Sequence, residues 1–215
     1  MDKIVSASIL SADFLNLGCE IKRAEDAGCR YIHFDVMDGV FVPNISYGIP
    51  VLKSVRRAVS ATLDVHLMIS DPIKYAEKFA VNGADIITFH TEALSDISET
   101  IEKIHSLGKK AGLAIKPKTP VSAVEKYIDR IDMLLIMTVE PGFGGQGFIY
   151  DTLDKISEAK RLIENRGLNV PIEVDGGIKD NTGTLAKNAG ADILVAGSYL
   201  YRSEDINDAV RKLLE

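Results

Sequence analysis

The chain has 215 residues, 46% of them hydrophobic and 26% charged, with 25 Lys and Arg against 31 Asp and Glu. That length suits a single domain with a sizeable core, and the ordinary composition excludes disorder, a collagen-like repeat and a disulfide miniprotein. A formal net charge of -6 argues against a nucleic-acid partner, since gripping phosphate backbones takes a basic surface, but a small phosphorylated ligand held by backbone N–H groups is compatible with it.

The N-terminus leads straight into Ile4-Val5-Ser6-Ala7-Ser8-Ile9-Leu10, too short and too polar for a signal h-region. No stretch approaches the ~20 apolar residues of a bilayer span, so a cytoplasmic protein with no membrane partner is expected. Cys19 and Cys29 fit buried, reduced thiols. From there two patterns alternate. Runs rich in β-branched residues lie at 31–36, 63–68, 86–89, 111–115, 133–137, 172–174 and 193–196, and their near-continuous hydrophobicity suits parallel strands covered on both faces. Between them lie segments with one apolar stripe. Leu17, Ile21, Ala24 and Gly28 follow i, i+4, i+7, i+11, and Ile97, Ile101 and Ile104 follow i, i+4, i+7. Asp71-Pro72 and Thr119-Pro120 each place a capping side chain before a first-turn proline and predict helix starts. Ala27-Gly28, Asn82-Gly83 and Ala189-Gly190 predict C-caps of one kind.

With the N-terminal stretch ending near Ser8 counted as the first strand, eight strand–helix units without a linker predict one α/β domain over residues 1–215, either a closed (β/α)8 TIM barrel or an open doubly wound sheet. A dinucleotide-type sheet wants G-x-G-x-x-G after its first strand. Ser8-Ile9-Leu10-Ser11-Ala12-Asp13 contains no glycine, which favours the barrel.

Barrel enzymes build their sites at the C-terminal ends of the strands, so polar side chains interrupting these buried runs carry the information. Period-two alternation turns His33, Asp35 and Met37 to one face and Phe34 and Val36 to the other. The next run repeats this with His66 and Met68, and the seventh puts Glu173 and Asp175 together. Two histidines and two aspartates converging from three strand ends read as a divalent metal site of mixed N/O character, suited to zinc, iron, cobalt or manganese. Met37, Met68 and Met137 also fall at strand ends, where methionine ordinarily fills core, and the residues alone leave that reading in front.

The longest interval, from Met137 to Asp175, opens with Val139-Glu140-Pro141-Gly142-Phe143-Gly144-Gly145-Gln146-Gly147-Phe148. Its glycines admit an anion close to the backbone and make this the expected closing loop. Asp175-Gly176-Gly177 and Ala196-Gly197-Ser198 end the next two runs, and glycines at three successive strand ends predict a phosphate pocket.

Together these motifs, with Phe41-Val42-Pro43-Asn44, resemble the ribulose-phosphate 3-epimerase family over essentially the whole chain. The resemblance implies a metal-dependent epimerase that interconverts D-ribulose 5-phosphate and D-xylulose 5-phosphate in the pentose phosphate pathway. It implies that His33, Asp35, His66 and Asp175 bind one divalent metal, zinc foremost, and that Asp35 and Asp175 are the two acid/base residues. Substrate contacts map onto Ser8, His66, Gly142, Phe143, Gly144, Gly145, Asp175, Gly176, Gly177, Gly197 and Ser198. A methionine cap maps onto Met37, Met68 and Met137, which reverses the core-filling reading. The family also implies a homo-oligomer, dimer or hexamer. Lys116 stands where the family usually has Asn, Tyr47-Gly48-Ile49-Pro50 replaces a more usual Phe-Gly-Pro, and Gly147 stands where Ser or Lys is commoner. Lys116 reads as a rim residue or an adjuster of sugar specificity. The alternative sugar is D-allulose 6-phosphate, in a sister family with the same metal site, and a more distant alternative is a metal-free phosphate-binding barrel lyase or synthase.

Overall fold

Parallel strands covered on both faces must close on themselves or leave an edge, and here they close. A computed structural model describes residues 2–215. The strands are β1 (Ile4–Ser8), β2 (Tyr31–Met37), β3 (Thr62–Met68), β4 (Ile86–His90), β5 (Lys110–Ile115), β6 (Met133–Met137), β7 (Ile172–Asp175) and β8 (Ile193–Ala196). Each pairs in parallel with its sequence neighbour, and β8 returns to β1 through Ile4 opposite Ile193 and Ala7 opposite Ala196. The single domain is therefore a (β/α)8 barrel.

The helices α1 (Leu17–Asp26), α2 (Ile49–Ala58), α3 (Pro72–Val81), α4 (Ile97–Ser106), α5 (Thr152–Asn165), α6 (Asp180–Ala189), α7 (Ser198–Tyr201) and α8 (Ile206–Leu214) form the outer ring. The outward strand residues Ile32, Phe34 and Val36 join one continuous core with Ile21 and Ala24 of α1 and Leu52 and Val55 of α2. Gly28, Gly83 and Gly190 all have positive φ just past a helix end, as their dipeptides predicted.

Of the two predicted proline starts, one holds and one does not. Pro72 does open α3, but Asp71 makes no side-chain cap; its carboxylate accepts from Ser95 Oγ at 2.7 Å. After Thr119-Pro120 there is only a 3-10 turn, Val121–Ala123, and the Thr119 hydroxyl is drawn to Glu92 of another loop. In both cases the side chain is taken by a tertiary hydrogen-bond partner, a donor for Asp71 and an acceptor for Thr119. Cys29 is buried as expected, with its thiol pushed up to about 12 by burial, whereas Cys19 on α1 is exposed.

Inside the barrel, register keeps inward residues opposite inward residues: His33 faces Asp64, Asp35 faces His66, Thr88 faces Gly112, and Met137 faces Asp175. An apolar plug of Ile86, Met133 and Ile193, with Ile4 and Tyr31, closes the N-terminal end. Above it the interior turns polar, with Ser6, His33, Asp64, Thr88 and Glu173 all fully buried. Gly112 makes room for this layer, since a Cβ there would stand 2.2 Å from Thr88 Oγ1.

Candidate active site

Strands β2, β3 and β7 deliver to one point four side chains that could hold a metal ion. His33 Nε2 lies 3.2 Å from His66 Nδ1 and 3.3 Å from Asp35 Oδ1, and His66 Nδ1 lies 3.2 Å from Asp35 Oδ1. Asp175 Oδ2 stands 3.9 Å from each of the two imidazole nitrogens. Ligands about 2.1 Å from a tetrahedral centre are separated by ~3.4 Å, so these spacings fit a divalent ion held by two imidazoles and two carboxylates. All four ligand atoms lie within 4.8 Å of one another.

The layer beneath sets ring orientation. His33 Nδ1 donates to Asp64 Oδ2 at 2.6 Å, which turns Nε2 toward the cluster, and Asp64 Oδ1 also accepts from Thr88 Oγ1. Burial lowers the basicity of His33, but the charges of Asp35 and Asp64 outweigh it and hold the imidazole well above its ordinary range. Asp35 is held below the usual carboxylate range: burial opposes ionisation, and the neighbouring His33 and His66 overcome it. Ser8 Oγ adds a hydrogen bond to Asp35 Oδ2 at 2.8 Å. Asp175 moves the other way, up to about 6, through burial first and the charge of Asp35 next. Glu173 is pushed well above its ordinary value by burial and by Asp64, and neither of its oxygens has a hydrogen-bond partner.

A cavity of about 390 Å³ opens over this cluster. Its floor and walls include Ser8, Asp35, Asp175 and the three methionines Met37, Met68 and Met137. The loop glycines Gly142, Gly144, Gly145, Gly176, Gly177 and Gly197 line it too, with Phe143 and Ser198. His33 and His66 are fully buried and are not part of its lining, so His66 reaches this space from beneath. Met37 and Met68 pack with Val42, Leu10 and Phe41, and Met137 packs with Ala114, Leu135 and Val139.

The glycines of the seventh strand end are demanded by space. A Cβ on Gly176 would meet Val139 Cγ2 at 2.4 Å, and one on Gly177 would meet the Phe148 backbone nitrogen at 2.6 Å, both at positive φ. The β6 loop is tied down as well: Asn44 Nδ2 donates to the Gly142 carbonyl, and Gln146 Nε2 donates to the carbonyls of Glu140 and Phe143.

Sequence reasoning did not single out Ser11, Lys179 or Arg202, which also line the cavity, nor His90 beside His66 and Glu92 beside His90. Arg202 follows α7 and has no motif of its own. His90 ends a run read as plain strand, and only its inward parity with Ile86 and Thr88 could have marked it. Lys116 sits at the rim with its Nζ 3.9 Å above the Phe41 ring.

The model of the ribulose-phosphate 3 epimerase family matches residues 4–201. A ribulose-phosphate 3-epimerase of Bacillus subtilis is 48% identical over 97% of this chain and 97% of its own length, and one of Escherichia coli K12 is 44% identical over 98% and 94%. The 3-hexulose-6-phosphate synthase of Salmonella typhimurium superposes with a TM-score of 0.72 at 17% identity, covering 100% of this chain and 97% of that one, and shares the fold. With identity this high over nearly the full length, and with the His/Asp cluster, glycine-loop and methionine positions drawn to one mouth of the barrel, the chain belongs to the ribulose-phosphate 3-epimerase family.

Proposed function

We propose that this barrel interconverts D-ribulose 5-phosphate and D-xylulose 5-phosphate by proton transfer at C3, as an enzyme of the pentose phosphate pathway. The carrying observation is the pair Asp35 and Asp175, two carboxyl groups brought from different strands to the floor of one cavity. Inverting a carbon beside a ketone requires a proton taken from one face and returned to the other, and two carboxylates serve both faces. Their environments push them apart, Asp35 toward the ionised form and Asp175 up to about 6. Asp35 accordingly acts as base in the ribulose-to-xylulose direction and Asp175 as acid, with the roles exchanged in reverse.

Ser8 Oγ holds the Asp35 carboxylate in place. His33, Asp35, His66 and Asp175 are the groups that would hold one divalent metal, zinc foremost, with iron, manganese or cobalt also suited to the donor set. When bound there, such a cation would supply Lewis acidity toward oxygen charge developing during proton transfer. Met37, Met68 and Met137 cover the reacting end with polarizable, apolar sulfur and keep water out. Backbone at Gly176, Gly177, Gly197 and Ser198 receives the phosphate, and residues 139–148 close over the sugar. Exposed Leu15, Val40, Ile45 and Leu94, all on connections that follow strands β1, β2 and β4 at the site end of the barrel, support a homo-oligomer whose mass light scattering measures.

A coupled epimerase assay before metal removal, after it, and after zinc add-back tests the reading. Activity on ribulose 5-phosphate should vanish and return. Full activity in protein shown to be metal-free would overturn the metal's role, and turnover of D-allulose 6-phosphate in preference to the pentulose would move the assignment to the hexulose sugar.

A further inference from the structure

We propose that His90 and Glu92 form a positioning chain for His66, fixing which of its ring nitrogens carries the proton; this rests on the reading of His66 as a metal ligand. The nitrogen that His66 turns to the cluster is Nδ1, 3.2 Å from both Asp35 Oδ1 and His33 Nε2. Its Nε2 points away and lies 2.9 Å from His90 Nε2. Both rings are fully buried, and buried ring nitrogens need partners.

Between two imidazole nitrogens at that distance one proton is shared, donated by one ring and accepted by the other. For neutral His66 to offer a lone pair at Nδ1, its proton sits on Nε2 and is donated to His90 Nε2. His90 must then be protonated on Nδ1, which lies 3.2 Å from Glu92 Oε2. An ionised carboxylate only accepts, so Glu92 sets the direction of the whole chain. Burial would raise the Glu92 carboxyl, but its hydrogen bonds from His90, Thr119 and the Lys116 N–H hold it down at about 2. Glu92 is itself fixed at its other oxygen, which accepts from the Lys116 N–H at 2.9 Å and from the Thr119 hydroxyl.

Packing locks the geometry. His90 stacks on His66 with centroids 5.0 Å apart and an interplanar angle of 29°, and its own ring lies against Phe41 at 4.9 Å. Neither His90 nor Glu92 lines the cavity, so both act through His66 and not on the sugar. The Thr119 and Lys116 contacts also give a task to the segment after β5 that fails to form the expected helix.

Histidine ring 15N–1H correlation spectra of the zinc-loaded wild-type protein should show His66 protonated at Nε2 and His90 at Nδ1. The opposite tautomer on either ring overturns the proposal, and this reading needs no variant to fold. In Glu92→Gln the carbonyl stays with the Lys116 N–H and the amide donates toward His90, which reverses the chain and moves the His66 proton to Nδ1. Cobalt(II) affinity, measured by chelator competition, should then fall about 10–100-fold, and the visible spectrum of the cobalt(II)-loaded protein should change. His90→Phe, which keeps an aromatic ring in the stack and removes the acceptor, should lose cobalt(II) affinity to a similar degree. Unchanged affinity and an unchanged His66 tautomer in these variants overturn the positioning role while leaving the metal reading intact. Failure of the wild-type protein to take up zinc or cobalt(II) overturns the metal reading, and the positioning role with it.

Discussion

Asp35 and Asp175 stand within the same buried cluster yet shift in opposite directions: Asp35 is in close contact with His33, His66 and Ser8 Oγ, whereas Asp175, farther from both imidazoles, is governed by burial and the like charge of Asp35. Asparagine at either position keeps the shape and removes the proposed proton carrier. Asp35→Asn and Asp175→Asn should each lower turnover of ribulose 5-phosphate by roughly 10²–10⁴-fold, with an unchanged far-UV circular dichroism spectrum. Near-full activity in either purified variant would sink the two-base assignment. Asp64 makes a different contribution, from beneath. It holds His33 Nδ1–H, so its influence reaches the cavity only through the ring it orients.

Among the elements, the turn after β7 concentrates backbone constraint. Gly177→Ala places a methyl group 2.6 Å from the Phe148 nitrogen at φ +65°, while Gly145→Ala, at φ +74°, meets nothing within 4 Å. Urea denaturation should show a cost of about 1–3 kcal/mol for the first, and a smaller one for the second, because both bear the left-handed backbone but only one adds a clash. Equal losses would mean that the Phe148 contact relaxes freely.

On the opposite side of the sheet, Glu25 of α1 clasps the segment before β3. One of its oxygens accepts from the Ser60 hydroxyl and from the N–H groups of Ser60 and Ala61. These bonds, led by the Ser60 hydroxyl, hold its carboxyl down at about 2 from an ordinary 4.5. A depressed folded-state pKa means stability that is complete above the unfolded value and lost as pH falls toward about 2. Glu25→Gln should therefore cost about 1 kcal/mol near pH 6, and the gap to wild type should close between pH ~4.5 and ~2 in acid titrations of stability.

At the scale of the molecule, closure of the β1–β8 seam leaves no free sheet edge, and the apolar plug at one end carries the polar layer and the cluster above it. A ligand that binds only the closed barrel shifts its melting by mass action. Zinc at 100 times its dissociation constant should stabilise the protein by about 2.7 kcal/mol, a rise in Tm of about 5–10 °C by calorimetry. His33→Ala, which deletes one proposed ligand, should erase that rise. Among the described residues no helix is long and apolar enough to cross a membrane.

The eight runs, their parallel character and the inward set His33, Asp35, His66 and Asp175 were legible from residue order alone. A strand has a fixed period of two, so parity names the face once the run is recognised. The glycine C-caps were legible for a similar reason, because positive φ is a local demand. What residue order left open was every feature set between strands distant in sequence. Thr119 looked like a helix cap and became a donor to Glu92, and His90 looked like the end of a plain strand and became the neighbour of His66. Barrel closure, and the register that accompanies it, decides which inward side chains meet, and a hydrogen bond between two strands leaves no periodic trace in either.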